Sequence, residues 1–343
     1  MKKRTAFVFL LLIMGVGLFQ GYLYIQKAPS SEETYKTIEI EPGATFGDVT
    51  VLLDKEGLIL SPVSFRLLGK ITQSESRIKP GEYRLHTAMR PAALLNILVR
   101  GEILTYRIVI PEGTSSREIG DILAKSDILN TETFYQAAHD PMIIQKLGFD
   151  TKSLEGYLFP DTYYFSKKTS VEKILQQMTQ QFRTVYDDSF VKKAETLGMT
   201  QAEVITLASI IEKETGAASE RATISGVFHN RLKRKMRLQS DPTVIFALPD
   251  FDGDIRRKDL MYDSPYNTYR VKGLPPGPIS NPGRESIYAA LHPEKVDYIF
   301  FVAKNNGEHQ FSVTLREHNK AVRKYQLKKK DEVMCHNCTE KKS

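Results

Sequence analysis

Leu207-Ala208-Ser209-Ile210-Ile211-Glu212-Lys213-Glu214-Thr215-Gly216 puts a carboxylate on the shoulder of an apolar helix. Thr200 can serve as the N-cap of that helix, and Glu203 stands three residues on, the spacing of a capping box. At about 100° per residue, Val204, Ala208, Ile211 and Thr215 share one face. Glu212 falls beside Ile205 and Ala208 at the edge of that face, and Lys213 points the opposite way. Glu214 lies on the other shoulder, near Leu207, and helical geometry does not choose between the two acids. A carboxyl partly shielded from water has its charged form disfavoured, so it can hold a proton and donate it. The plain alternative is a boundary glutamate paired with a neighbouring Lys or Arg.

The 343 residues around this helix suffice for about two domains. An apolar content of 41% provides an ordinary globular core. The net charge of +7 is unevenly placed. Lys2, Lys3 and Arg4 carry +3 and the tail from Lys320 to Ser343 carries +5, which leaves −1 for residues 5–319. The basic footprint of a nucleic-acid binder is missing, so no nucleic acid is expected as a partner. The seven histidines show no H-x-x-x-H spacing, and neither a metal nor another cofactor is expected. Ser76-Arg77-Ile78-Lys79 matches S-x-x-K, but no K-T-G follows, which argues against a penicillin-binding enzyme. Cys335 and Cys338 form one C-x-x-C without a trailing His or a second pair, and read as part of a solvated tail.

Ala6–Ile25 is long enough to span a bilayer and is interrupted by only one strongly polar residue, Gln20. The preceding basic residues keep the N-terminus (residues 1–5) in the cytoplasm and place everything after residue 25 outside the inner membrane. The alternative, a cleaved signal peptide, lacks a small-x-small site close behind its apolar stretch.

A polar linker, residues 26–35, leads into an internal repeat. Ile38-Glu39-Ile40-Glu41-Pro42-Gly43 is echoed by Ile108-Val109-Ile110-Pro111-Glu112-Gly113. Counted from each Gly, apolar residues recur six, nine, ten and fifteen positions on: Val49, Leu52, Leu53 and Leu58, then Ile119, Ile122, Leu123 and Ile128. Each copy predicts a strand, a Pro/Gly turn and an amphipathic helix. Between the copies, Pro62–Ile71 and Pro91–Val99 read as helices and 81–85 as a strand. Residues 131–200 are mostly helical: Thr131–Ala138, Val171–Tyr186 and Asp188–Leu197. Tyr298–Ala303 and Gln310–Val313 read as a hairpin around Asn305-Asn306-Gly307. A last helix lies near Leu315–Leu327. The fold class is therefore α+β: a single N-terminal transmembrane helix, a small α+β repeat region over 36–130, an α+β domain over 131–325, and a basic polar tail over 326–343.

Downstream of the opening helix come Phe228-His229-Asn230-Arg231-Leu232, Leu238-Gln239-Ser240-Asp241-Pro242, Ser264-Pro265-Tyr266-Asn267-Thr268-Tyr269 and Gly273-Leu274-Pro275-Pro276-Gly277-Pro278-Ile279-Ser280-Asn281-Pro282-Gly283. Upstream stands Glu155-Gly156-Tyr157-Leu158-Phe159-Pro160-Asp161-Thr162-Tyr163. This ordered string resembles the endolytic murein transglycosylases, the YceG-like family, from the apolar N-terminus to about residue 325. The resemblance implies a lyase that cleaves the bond between N-acetylmuramic acid and N-acetylglucosamine in nascent peptidoglycan strands and leaves 1,6-anhydro ends. It implies that Glu212 is catalytic, that the repeat region is LysM-like, and that the protein is anchored in the inner membrane near penicillin-binding synthases.

Gln239, Asp241, Asn267 and Tyr269 lie in matching motifs and are candidates to bind acetamido or hydroxyl groups. Tyr157, Tyr163 and Tyr266 are candidates to stack on sugar faces. Asn230 and Arg231 are candidates to orient Glu212 or bind a peptide or lactyl carboxylate. Each has a plain alternative as a turn or packing residue. Two other readings remain open: a muramidase-type hydrolase with Asp241, Glu155 or Asp161 as second carboxylate, and a non-enzymatic scaffold that holds glycan beside synthases.

Overall fold

The computed structural model of the chain describes residues 20–21 and 26–327. Apart from Gln20 and Gly21, the expected anchor lies outside the described residues, as does the Cys335–Cys338 pair. No helix among the described residues is long and apolar enough to cross a membrane. The fold is mixed α+β, rich in helices, with three two-stranded sheets among the described residues.

The described residues divide into two compact units. One holds the residues up to Arg107 together with Tyr164–Thr169; the other holds Ile108–Tyr163 and everything described from Ser170 on. In the first, β1 (Tyr35–Ile40) is followed by α1 (Phe46–Lys55), α2 (Pro62–Ile71), β2 (Gly81–His86) and α3 (Pro91–Arg100). β1 and β2 pair antiparallel, with Tyr35 opposite His86 and Ile40 opposite Gly81. Alternation sends Ile38, Ile40, Tyr83 and Leu85 to one face, where they meet Val49, Leu53, Phe65, Leu94 and Leu98. The buried Tyr83 hydroxyl donates to the Lys79 carbonyl at 2.7 Å, so its burial leaves no unpaired donor.

The repeat read from the sequence is present in both units as local structure. Gly43 and Gly113 both take left-handed φ values, 85° and 74°, that end the strand and turn the chain. Two residues later, Thr45 and Ser115 cap α1 and α4 (Ser116–Lys125), and each forms a full capping box, with Asp48 and Glu118. The apolar residues six, ten and fifteen places past each Gly are buried in both copies: Val49, Leu53 and Leu58; Ile119, Leu123 and Ile128.

The second copy nonetheless belongs to the larger unit, which begins at Ile108. Two contacts explain this. The Ser116 N–H and hydroxyl both donate to Glu155. Gly120 of α4 packs so tightly on α5 (Thr131–Ala137) that an added Cβ would lie 2.9 Å from the Thr131 carbonyl oxygen.

α6 (Pro141–Lys146) of the larger unit precedes a long loop; β3 covers Tyr106–Val109 and β4 covers Thr162–Phe165, two strands that the division between the units cuts. Then follow α7 (Val171–Val185), α8 (Asp188–Leu197), α9 (Gln201–Glu214), α10 (Arg221–Lys233), α11 (Asp241–Ala247), α12 (Arg284–Leu291), the hairpin β5 (Phe300–Ala303) and β6 (His309–Ser312), and α13 (Leu315–Val322). Asp241 and Pro242, for which a turn is the plain alternative to binding, open α11; proline in the first helical turn gives up a donor that has no partner there in any case. α9 begins at the expected capping box of Thr200 and Glu203. It is not one-faced, however: every residue from Val204 to Ile211 is buried, because α8, α10, α11 and α12 all pack against it. Glu212 is the first residue after that run to reach the surface.

Candidate active site

Four segments far apart in sequence meet where α9 emerges, and Asn281 ties them together. Its backbone N–H and its side-chain amide both donate to the Thr114 carbonyl, at 3.0 and 2.9 Å, and its carbonyl accepts from Gly113 at 2.9 Å. Its Oδ1 accepts from the N–H groups of Gly156 and Leu158 at 2.8 and 3.0 Å. The amide also donates to Glu155 Oε1 at 3.0 Å. From α9, the Ser209 hydroxyl oxygen accepts from the Ile279 N–H at 3.0 Å. Ser209, Ser280, Asn281 and Glu155 are all buried, so this knot sits in a medium where each bond is costly to lose.

On that scaffold, Glu212 Oε2 accepts the Gly283 N–H at 2.9 Å. Glu212 Cγ lies close to Gly113, where an added Cβ would stand 3.3 Å from it, and Lys213 Nζ donates to the Gly113 carbonyl at 3.3 Å. Glu112 reaches over Gly283: its carboxyl fills the place that a Cβ there would take. One glycine thus separates two carboxylates. Burial, and then the charge of Glu212, raise the pKa of Glu112, with Arg221 opposing. Glu112, Gly113, Thr114 and Lys213 also line an open groove of about 380 Å³, so the surroundings of Glu212 are accessible to a ligand.

The opposite shoulder of α9 differs. The Ser240 hydroxyl donates to Glu214 Oε1 at 2.6 Å. The Glu214 carboxyl is enclosed, and burial pushes its pKa up to about 7, with Asp241 adding to the rise and Arg231 opposing it. Asp241 in turn accepts from the Tyr269 hydroxyl at 2.6 Å. Glu214 is therefore committed to an internal network, whereas Glu212 is held by a backbone donor beside open space.

The YceG-like family profile matches residues 38–324. The chain belongs to the YceG-like family. An endolytic murein transglycosylase of Bacillus subtilis (strain 168) is 35% identical over 330 residues, which cover 92% of this chain and 91% of that protein. A protein of the same name from Streptococcus pneumoniae (strain D39) is 27% identical over 92% of this chain, which spans 64% of that longer protein. A solved yceG-like protein of Listeria monocytogenes shares 34% identity, with a TM-score of 0.59, over 84% of this chain and 99% of that one.

The other residues singled out in this YceG-like sequence separate by burial. Asn267 is fully buried; its amide donates to the Leu260 and Tyr262 carbonyls, and its oxygen accepts from Tyr269 N–H. Arg231 is buried and donates to the Ile299 and Leu238 carbonyls, while Asn230 donates to those of Val296 and Tyr298. Tyr157 packs edge-on to Phe182 at 5.1 Å in the aromatic core, and the buried Tyr163 donates its hydroxyl to the Phe159 carbonyl. As placed, these five are scaffold: their polar groups or ring faces are already occupied. Glu155 serves the Asn281 knot, and burial pushes its pKa up to about 7. Asp161 accepts from its neighbour's N–H and from Gln181.

Gln239, Asp241, Tyr266 and Tyr269 keep exposed surface. Gln239 is held at a positive φ of 50° between the buried Leu238 and Ser240, a strained conformation that aims its side chain outward. Sequence reasoning missed Glu112. The available signal was the repeat itself: Glu-Pro-Gly in the first copy becomes Pro-Glu-Gly in the second, which sets the acid next to the turning glycine.

Proposed function

We infer that this chain is an endolytic murein transglycosylase, a lyase acting on peptidoglycan. The observation that carries the reading is the Glu212 carboxyl, anchored by Gly283 N–H at the meeting point of the family's motifs and beside an open groove. A lytic transglycosylase needs one acid. Glu212 protonates the oxygen bridging N-acetylmuramic acid to N-acetylglucosamine, and an oxocarbenium-like transition state develops. The resulting carboxylate then takes the proton of the muramic 6-hydroxyl as that oxygen attacks C1. The attacking group belongs to the substrate, so its proximity is built in, and no water is consumed. Gln239, Asp241, Tyr266 and Tyr269 supply hydrogen bonds and a ring face to the sugars.

The β1–α1–α2–β2 arrangement supports a LysM-like glycan-binding module. The apolar segment 6–25 supports a single-pass anchor in the cell membrane with the enzyme on its outer side, beside penicillin-binding synthases that extend lipid-linked strands. The second carboxylate, Glu112, favours one competing reading, a hydrolase of the same polymer that activates water. Mass analysis of digested peptidoglycan separates the two: lyase fragments are lighter by one water per cut. Hydrolysed ends overturn the lyase reading, and no product at all favours a scaffold.

A further inference from the structure

Away from Glu212, a larger groove of about 730 Å³ is lined by Arg237, Arg257, Leu260, Met261, Tyr269 and Arg270. Its volume lies in the range of ligand sites. Three guanidiniums and no carboxylate line it, in a body whose net charge is −1 over residues 5–319. Arg237 and Arg257 are exposed and make no hydrogen bond or ion pair among the described residues. Arg270 is fixed to the wall by a 2.8 Å bond to the Met261 carbonyl; its pairing with Asp263 at 3.6 Å is solvent-exposed and weak. Tyr269 connects this wall to the end of α9, through Asp241 and the neighbouring Ser240, which donates to Glu214. Through these bonds the groove reaches the Glu214 shoulder of α9, the helix that also carries Glu212.

We propose that this groove binds a carboxylate-bearing peptide stem of the glycan strand, a subsite that rests on the peptidoglycan reading above. A neutral sugar has no use for three guanidiniums. A stem peptide combines free carboxylates with small apolar side chains. Guanidinium forks match carboxylates two bonds at a time, and Leu260 and Met261 offer the apolar floor. A phosphate has no apolar part for that floor to cover. The structure also relocates a role considered for Arg231: that guanidinium is spent on backbone carbonyls inside, whereas Arg237 and Arg257 are unspent and outside.

Calorimetric titration of the full chain carrying Glu212→Gln, which prevents turnover, with a soluble muramyl tripeptide tests this. Binding is expected, and it weakens about tenfold for each guanidinium removed in Arg237→Gln and Arg257→Gln. Thermal melts of these exposed-site variants check that the fold is intact. Amidating the peptide carboxylates should weaken binding to the wild-type groove by the same factor. The proposal is overturned by absence of binding, by variants that bind unchanged, or by inorganic pyrophosphate binding more tightly than the peptide. Peptide binding together with a wild-type chain that cuts no glycan counts against the lyase reading and leaves the subsite standing.

Discussion

The backbone N–H of Gly283 donates to Glu212 Oε2 at 2.9 Å, and the carboxyl of Glu112 fills the space that a side chain on the same glycine would take. A backbone donor cannot rotate away, so it fixes one oxygen of Glu212 and leaves the other for substrate. This is how the end of a buried helix becomes a positioned acid.

Glu212→Gln keeps an oxygen for Gly283 N–H and should fold normally. The amide cannot cycle a proton, so glycan cleavage should drop by about 10²–10⁴-fold, the usual range for general acid–base catalysis. Glu214→Gln should be much milder, because the amide oxygen still accepts from Ser240. A dead Glu214 variant beside an active Glu212 variant would reverse the assignment.

Gly283→Ala tests the pairing of Glu112 with the site. The φ of Gly283 is −73°, which alanine adopts freely, so backbone strain is not the issue. The new methyl collides with the flexible end of Glu112 and displaces it. On the one-acid mechanism cleavage should stay within a few-fold of wild type, with a stability loss under about 1 kcal/mol. A fall of an order of magnitude or more would give Glu112 a part in the reaction and favour the hydrolase.

Much of this was legible locally. The capping boxes at Thr45, Ser115 and Thr200, the two turning glycines and the buried positions between them all follow from short-range chemistry. So does the place of Glu212 at the edge of α9. What the sequence withheld depends on contacts across long separations. Glu112 comes near Glu212 through Asn281, which holds residues 113–114 beside the segment whose Gly283 bonds Glu212. Arg237, Arg257 and Arg270 show no pattern along the chain, yet converge on one groove. Tyr157 and Asn267 lie in the right motifs, but burial on all sides turns them into structure.

Asn281→Ala should unfold the knot rather than the chemistry. It leaves the buried N–H groups of Gly156 and Leu158 without acceptors, at about 1–3 kcal/mol each. Urea unfolding should show a loss of several kcal/mol. A loss below about 1 kcal/mol would mean that another acceptor takes over.

The proposed anchor gives a separate test. A chain starting at Ser30 should be soluble and cut glycan in vitro but fail in cells, because nascent strands are lipid-linked at the membrane surface. N-terminal sequencing of the native protein checks the premise, and a mature start beyond residue 25 overturns it.

Glu155 gives the pH signature. Its folded pKa is about 7 against an ordinary 4.5, because burial outweighs the hydrogen bonds from Ser116 and Asn281. Between those values the folded state binds more proton than the unfolded state, so the stability that the protonated group contributes is complete below about pH 4.5. It is lost as pH rises toward 7, by about 1.4 kcal/mol per unit of displacement. Glu155→Gln cannot titrate but keeps one oxygen for Ser116. The variant's melting temperature relative to wild type should therefore climb steadily from pH 5 to pH 7 and level off above it. Parallel melting curves across that window would mean that Glu155 is ionised in the folded protein throughout, with its charge held by the donors of Ser116 and Asn281.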